Sequence, residues 1–75
     1  MDRSEEARQL KAFGRRLAEV RKTRGLTQQE LAGKLDISLV SVGYLETGKR
    51  WPRLNTLHRV AAVLGVPIDD LFRGL

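Results

Sequence analysis

The spacing of apolar residues along the chain predicts helices and gives no indication of strands. No run alternates between apolar and polar residues for long enough to form a convincing strand. The first apolar stripe recurs at intervals of three and four residues, as on one face of a helix, and consists of Leu10, Phe13, Leu17 and Val20. It predicts a first helix over about residues 4–24, which Asp2 or Ser4 can cap and Gly25 can end.

Two shorter helices are predicted in the middle of the chain. Thr27 and Glu30 have the spacing of a capping box, in which each side chain accepts a hydrogen bond from the other's backbone, and they predict a helix that ends at about Leu35. Ser38 can cap the following helix and Gly48 can end it. The inward positions of these two helices are Leu31, Ala32, Leu35, Val42 and Leu45.

Two further helices complete an all-α fold. Pro52 cannot lie inside a helix, so the fourth helix is predicted over about residues 54–64. Its apolar stripe consists of Leu54, Leu57, Ala61 and Leu64. Pro67 begins a last short helix whose Leu71 and Phe72 face inward. We therefore expect a compact domain of five helices.

The composition gives this small domain a basic character. Residues 1–75 make one domain whose core is near the lower size limit for independent folding, so that oligomerisation would help it. Fourteen Lys and Arg against nine Asp and Glu give a net charge of +5. Between Thr47 and Ile68 there is no acidic residue, and the basic ones are Lys49, Arg50, Arg53 and Arg59. A polyanion is therefore expected to dock on this part of the chain.

The sequence argues against several classes of function. The sequence has no cysteine, and therefore no disulfide framework and no thiolate zinc site. It has neither an apolar run long enough for a membrane span nor a signal-peptide core, so we expect a cytoplasmic protein without a membrane partner. The only histidine, His58, falls on a polar flank of the fourth helix, and there is no glycine-rich phosphate loop. We expect no enzymatic activity, no metal and no cofactor.

The middle of the chain carries motifs at helix-turn-helix spacing. They are an LTQ-x-E-L-A run from Leu26, an L-E-x-G-K run from Leu45, Pro52, and L-G-V followed by I-D-D-L. Along residues 26–72 the chain resembles the phage repressor and Cro type of helix-turn-helix DNA-binding family, with the helix-turn-helix at about residues 27–47. The resemblance implies a small transcriptional regulator whose second motif helix enters the major groove.

The resemblance also implies contacts with the DNA backbone on both sides of that recognition helix. Gln28 matches the family's phosphate-contacting glutamine in the first turn of its helix, and Thr27 caps beside it. The loop that grips the adjacent backbone is matched by Thr47, Gly48, Lys49 and Arg50. Arg53 falls where some relatives reach toward the minor groove.

Other matched positions have structural roles. Arg21 and Glu46 match a family salt bridge that ties the first helix to the recognition helix. Asp36 stands where the family usually has a glycine in its turn, and Asp tolerates the left-handed conformation. The basic residues that share one side of the first helix are expected to form a solvated face; they are Arg8, Lys11, Arg15 and Lys22.

The outward face of the recognition helix is largely apolar. The residues predicted to read bases are Ser38, Leu39, Val40, Gly43 and Tyr44, where relatives commonly carry Gln, Arg, Asn or Ser. Three alternatives follow. The first is apolar packing against thymine methyl groups together with readout of DNA shape and a few hydrogen bonds from Ser38, Ser41, Tyr44 or Thr47. The others are weak specificity with affinity supplied by phosphate contacts, or a face that binds protein. The first is favoured because groups suited to phosphate binding flank this face.

Double-stranded DNA and a second copy of the chain are the expected partners. Family members usually bind as two-fold dimers on half-sites one DNA turn (~34 Å) apart. The candidate dimer contact is the apolar C-terminal surface of Leu71, Phe72 and Leu75, with Trp51 or Val66 as further candidates, and Phe72 is equally suited to the core.

A protein-interaction module is the rival prediction. Restriction-modification controllers, small phage-type repressors and antitoxins share this fold and size, and fold alone does not choose among them. An antitoxin or anti-regulator would hold another protein as its main task, with DNA binding secondary.

Overall fold

The protein, described from residue 2 to residue 75 in a computed structural model, is built from four α-helices and one 3-10 helix. The elements are α1 (Arg3–Thr23), α2 (Gln28–Leu35), α3 (Leu39–Thr47), α4 (Leu54–Leu64) and the 3-10 helix (Ile68–Phe72). These residues contain no strand, so the all-α prediction is confirmed. The last element is not a fifth α-helix, because it is too short for α-helical pairing and closes by bonds between residues three apart, such as Asp70 N–H to the Pro67 carbonyl at 3.0 Å.

The helices begin at the predicted caps. Asp2, and not Ser4, caps α1 by accepting from the Glu5 N–H at 2.8 Å. Thr27 and Glu30 form the reciprocal capping box of α2, with bonds of 3.0 and 2.9 Å. The backbone N–H of Thr27, followed by its hydroxyl, lowers the pKa of the Glu30 carboxyl below its ordinary value. Ser38 caps α3 by accepting from the Ser41 N–H at 3.0 Å.

The turn between α2 and α3 depends on a left-handed residue. Asp36 has φ 56° and ψ 46°, as the sequence indicated that it could. Its N–H bonds to the Gly33 carbonyl at 3.3 Å, and the Ile37 N–H bonds to the Ala32 carbonyl at 3.1 Å. These bonds end α2 and set the direction in which α3 leaves the turn.

The core contains the stripes predicted for α1, α2 and α3. Their buried members are Leu10, Phe13, Leu17, Val20, Leu31, Ala32, Leu35, Val42 and Leu45. In α4 the prediction was wrong for Leu54, which is 68% exposed because it begins the helix where no other element covers it. Val60 is buried instead, beside the correctly predicted Leu57, Ala61 and Leu64. Among residues 2–75, no helix combines the length and apolar character needed to cross a bilayer.

α1 lies very close to the C-terminal half of α3 at Gly14. A Cβ atom built at Gly14 would lie 2.4 Å from the Glu46 carbonyl oxygen and 2.9 Å from that of Leu45. Only glycine fits without a shift of backbone. This contact, which apolar spacing gave no reason to expect, fixes how deeply α3 sits on α1.

A buried ion pair joins the same two helices. Arg21 Nε and Nη2 donate to the two carboxylate oxygens of Glu46 at 2.6 and 3.0 Å, and both side chains are almost fully buried. Arg21 Nη1 also donates to the Leu26 carbonyl at 2.8 Å, and Gln28 Nε2 donates to Glu46 Oε1 at 2.9 Å. The hydrogen bond to Glu46 raises the pKa of Arg21 above its ordinary value. Each of the three guanidinium nitrogens of Arg21 donates a hydrogen bond within this network.

Replacement of Gly14 tests the close helix approach. Gly14→Ala is expected to lower the free energy of unfolding by about 1–3 kcal/mol through overpacking, against a gain in helix propensity of about 1 kcal/mol. Urea unfolding followed by circular dichroism measures the change. Gly33→Ala is the matched control, because a Cβ there meets nothing within 4 Å. The control is expected to become more stable, and a similar gain for Gly14→Ala would contradict the contact.

Replacement of Glu46 tests the ion pair. Glu46→Ala leaves the Arg21 charge buried without its carboxylate and is expected to lower the free energy of unfolding by about 3–5 kcal/mol. In the double variant Arg21→Met/Glu46→Leu, where no charge is stranded, most of that loss is expected to disappear. Glu19→Ala is the control, since its contact with Arg16 is 3.3 Å long and exposed, and a change below about 1 kcal/mol is expected. Equal losses for Glu19→Ala and Glu46→Ala would refute the role of the pair.

Candidate nucleic-acid interface

The outer side of α3 carries the predicted base-reading residues on one face. Leu39, Val40 and Tyr44 are 48%, 60% and 41% exposed, while Val42 and Leu45 of the same helix are buried. A Cβ at Gly43 would meet nothing within 4 Å, so packing inside the domain does not require glycine there. The missing side chain leaves a bare stretch of helix backbone between the apolar side chains.

The serine and threonine hydroxyl groups of α3 and its cap form hydrogen bonds within the helix. Ser38 Oγ accepts from the Ser41 N–H and donates to Ser41 Oγ at 2.9 Å. Thr47 Oγ1 donates to the Gly43 carbonyl at 2.7 Å. Ser38 and Thr47 are exposed, but only the hydrogen-bonding capacity that these bonds leave unused is available to a ligand. These hydroxyl groups therefore add less to the polarity of the α3 face than the sequence suggests.

The loop after α3 turns back over the helix. Gly48 ends α3 in the left-handed conformation, at φ 74°, and the Lys49 N–H bonds to the Tyr44 carbonyl at 3.0 Å. The Arg50 guanidinium lies 5.5 Å from the centre of the Tyr44 ring, within the range of a cation–π contact. The sequence placed Tyr44 among base readers and Arg50 among phosphate contacts, and the structure joins them.

The basic residues between 47 and 68 fall into two groups. Lys49, Arg50 and Arg53 are exposed, and none of them has an acidic partner within 4.0 Å among residues 2–75. Arg59, by contrast, donates to the Leu35 carbonyl and thereby holds α4 against the end of α2. Three of the four positive charges in the acid-free segment are thus available to an anion.

The N-terminus of α2 lies beside the last turn of α3. Thr27 is exposed and caps the helix. The Gln28 amide is half-buried, and one of its N–H groups is bound to Glu46, so the side chain expected to hold a phosphate is partly engaged in the Arg21 network. Sequence separation gave no signal for this bond, because only the tertiary fold brings α2 and the end of α3 together.

The predicted dimer residues do not form one exposed surface. Leu71 is fully buried and is corrected to a core residue, because the 3-10 helix turns it under α1 and α4. Phe72 is half-buried, with its ring centre 5.4 Å from that of Phe13. Trp51 and Val66 are likewise half-buried, and Leu75 remains 39% exposed.

The residues from 2 to 75 contain no group of His, Cys, Asp and Glu side chains that could hold a metal ion.

Comparison with known proteins agrees with this geometry. The helix-turn-helix family model matches residues 17–71. The chain is 40% identical over 62 residues to the SPbeta prophage-derived HTH-type transcriptional regulator YonR of Bacillus subtilis, covering 83% of this chain and 57% of the relative. It is 38% identical over 60 residues to the HTH-type transcriptional regulator DdrOP3 of Deinococcus deserti, covering 80% of this chain and 46% of the relative. The chain thus spans about half the length of these two relatives.

A solved structure shares the arrangement of helices over most of the chain. The restriction-modification controller protein C.AhdI from Aeromonas hydrophila aligns with a TM-score of 0.80 at 35% identity, covering 84% of this chain and 96% of that one. With the family model covering most of the sequence and the fold matching in three dimensions, the chain belongs to the helix-turn-helix family.

Proposed function

We propose that the chain is a sequence-specific, double-stranded DNA-binding transcriptional regulator that acts as a homodimer on a two-fold symmetric operator. In this proposal α3 lies in the major groove. The observation that carries it is the exposed face of α3, which adjoins a loop whose three positive charges have no acidic partner among residues 2–75, while Gln28 at the start of α2 is bonded to the end of α3. Similarity to regulators and to a controller protein supports the same function.

Base readout in this proposal is mainly apolar. Leu39 and Val40 can pack against the C5-methyl groups of thymine, the one apolar feature of the major groove. Gly43 lets the helix backbone approach the base edges closely. Because the nearby hydroxyl groups of Ser38 and Thr47 are already bonded, discrimination depends mainly on methyl contacts and on the sequence-dependent shape of the duplex, with the Tyr44 hydroxyl as a further hydrogen-bonding group.

Affinity in this proposal comes largely from the phosphates. Each lysine or arginine that neutralises a phosphate releases counterions, which makes binding strongly dependent on salt. Lys49 and Arg50 are assigned to the backbone beside α3, and Arg53, at the start of α4, to the next stretch toward the minor groove. The ring of Tyr44 beneath Arg50 limits the directions in which the guanidinium can point.

The homodimer is proposed from the size of the interface. One small domain on one half-site buries little surface. Two copies related by two-fold symmetry bury twice that area on DNA, and both use the same face of the protein. Leu75 and the exposed edge of Phe72 are the proposed apolar contribution to the contact between copies. Leu71 is no longer part of it, because its side chain is fully enclosed within one copy.

A second candidate function is favoured by the same exposed side chains. Three large apolar residues on one face of α3 are also suited to hold another protein, as in an antitoxin or anti-regulator. The two functions differ in what α3 mutations do: a protein-binding face leaves DNA sequence preference unchanged when its side chains are shortened.

Selection of duplexes from a random pool tests the main proposal. At near-physiological salt the full chain is expected to enrich a two-fold symmetric site that contains thymine, with half-sites one turn (~34 Å) apart. Val40→Ala is expected to weaken the thymine preference at one position in each half-site, at a cost of about 1 kcal/mol there. Sequencing of the enriched pools measures both effects.

Leu54→Ala is the matched control for the selection. It removes another exposed aliphatic side chain, one that lies outside α3, and is expected to leave the enriched site unchanged. A uniform loss of affinity across all sites in Val40→Ala would count against base reading. Absence of any enriched site in the wild-type pool would count against sequence-specific binding altogether.

Arg50 provides the test of the backbone contact. Arg50→Ala is expected to weaken binding to all duplexes similarly and to reduce the slope of log K against log salt concentration by about one unit. Fluorescence anisotropy at a series of salt concentrations measures the slope. Arg73→Ala removes the same charge from the C-terminal end, where Arg73 pairs with Asp70 at 2.6 Å, and should leave the slope unchanged. If both variants give the wild-type slope, Arg50 does not contact a phosphate.

A further inference from the structure

The loop that follows α3 rests directly on α1. At Gly48, a Cβ atom would lie 2.9 Å from the Lys11 Cα and 3.0 Å from the Lys11 Cγ. Such distances leave room only for glycine, and they place the Lys11 side chain beside the backbone that leads into Lys49. Lys11 therefore leaves α1 at the edge of the proposed phosphate-binding loop, although it is far from this loop in the sequence.

The structure separates four basic residues that the sequence grouped as one solvated face of α1. Arg8 donates to Glu5 at 2.7 Å, so its charge is paired. Arg15 lies toward the C-terminal end of the chain, near Gly74. Lys22 belongs to the last turn of α1. Lys11 lies against the loop at Gly48, it is exposed, and within residues 2–75 it has no acidic partner at 4.0 Å or less.

The charged neighbours of Lys11 are mostly cationic. Lys49 follows Gly48 immediately, so two cationic side chains start from backbones that touch. Arg3, Glu6 and Lys49 line one groove beside this contact. Glu6 therefore offsets one of the three positive charges of Arg3, Lys11 and Lys49, and a net positive charge remains for a phosphate.

We propose that Lys11 is a further DNA-backbone contact, which continues the phosphate-binding surface of Lys49 from the loop onto α1. This inference rests on the proposed function, since its partner is the phosphate backbone of duplex DNA. The family match begins at residue 17, and Lys11 lies outside it. The phosphate held by Lys11 adjoins the one held by Lys49 at the outer edge of each half-site.

A pair of charge-neutralising variants tests the proposal. Lys11→Gln keeps the length of the stem and removes the charge, and it is expected to lower the slope of log K against log salt concentration by about 0.9. Arg15→Gln removes the same charge one helical turn away, from an exposed residue with no acidic partner in the described part of the chain, and is expected to leave the slope at the wild-type value. Circular dichroism confirms that both variants are folded.

Phosphate ethylation interference on the selected duplex locates the contact. With wild-type protein, ethylation at one phosphate next to the Lys49 contact is expected to impair binding, and Lys11→Gln is expected to become insensitive to ethylation there. Arg15→Gln should keep the wild-type pattern.

The outcomes distinguish this inference from the function on which it rests. If the wild-type protein binds duplexes and Lys11→Gln has an unchanged slope, Lys11 is not a contact while the proposed function stands. Equal reductions of slope in Lys11→Gln and Arg15→Gln, with an unchanged ethylation pattern, would also overturn it, because they would show only the general field of α1. If the wild-type protein binds no duplex, the proposed function and this inference fail together.

Discussion

The hydrogen-bonded ion pair between Arg21 and Glu46 is the contact on which the candidate interface depends. It joins α1 to the end of α3, and through Gln28 it also holds the start of α2. A buried arginine or carboxylate without its partner is strongly destabilising. The network therefore stabilises one relative position of the three helices over others. The proposed reading helix and the helix end beside it are thus presented to a ligand as one rigid unit.

Two glycines bring α1 close enough for that pair to form and for α1 to reach the loop. Gly14 admits the carbonyl groups at the end of α3, and Gly48 lets the following loop lie on Lys11. The same contacts that stabilise the small core therefore decide which surface charges lie together. Moving α3 away from α1 would break the ion pair and would also separate Lys11 from Lys49. The packing of these two helices and the proposed phosphate binding therefore depend on the same contacts.

The chemistry of the proposed interface divides between its centre and its edges. At the centre, Leu39 and Val40 offer apolar surface and the hydroxyl groups nearby are engaged within α3. At the edges lie a helix N-terminus and exposed cationic side chains, which can bind phosphates whatever the base sequence of the DNA. Such a division makes affinity a property of the edges and sequence preference a property of the centre, and the contact of Arg50 with Tyr44 is where the two meet.

The sequence by itself determined the helices and most of the core, because caps and apolar periodicity act over a few neighbouring residues. Thr27 with Glu30, Ser38 and Asp36 marked the ends of α2 and α3 correctly, and the stripes of the first three helices are buried as predicted. Tertiary structure decided what depends on distant parts of the chain meeting: the exposure of Leu54, the burial of Leu71, the engagement of Gln28 by Glu46 and the position of Lys11. Local patterns carry no information on these, since each follows from which helix happens to cover, or leave uncovered, a residue many positions away.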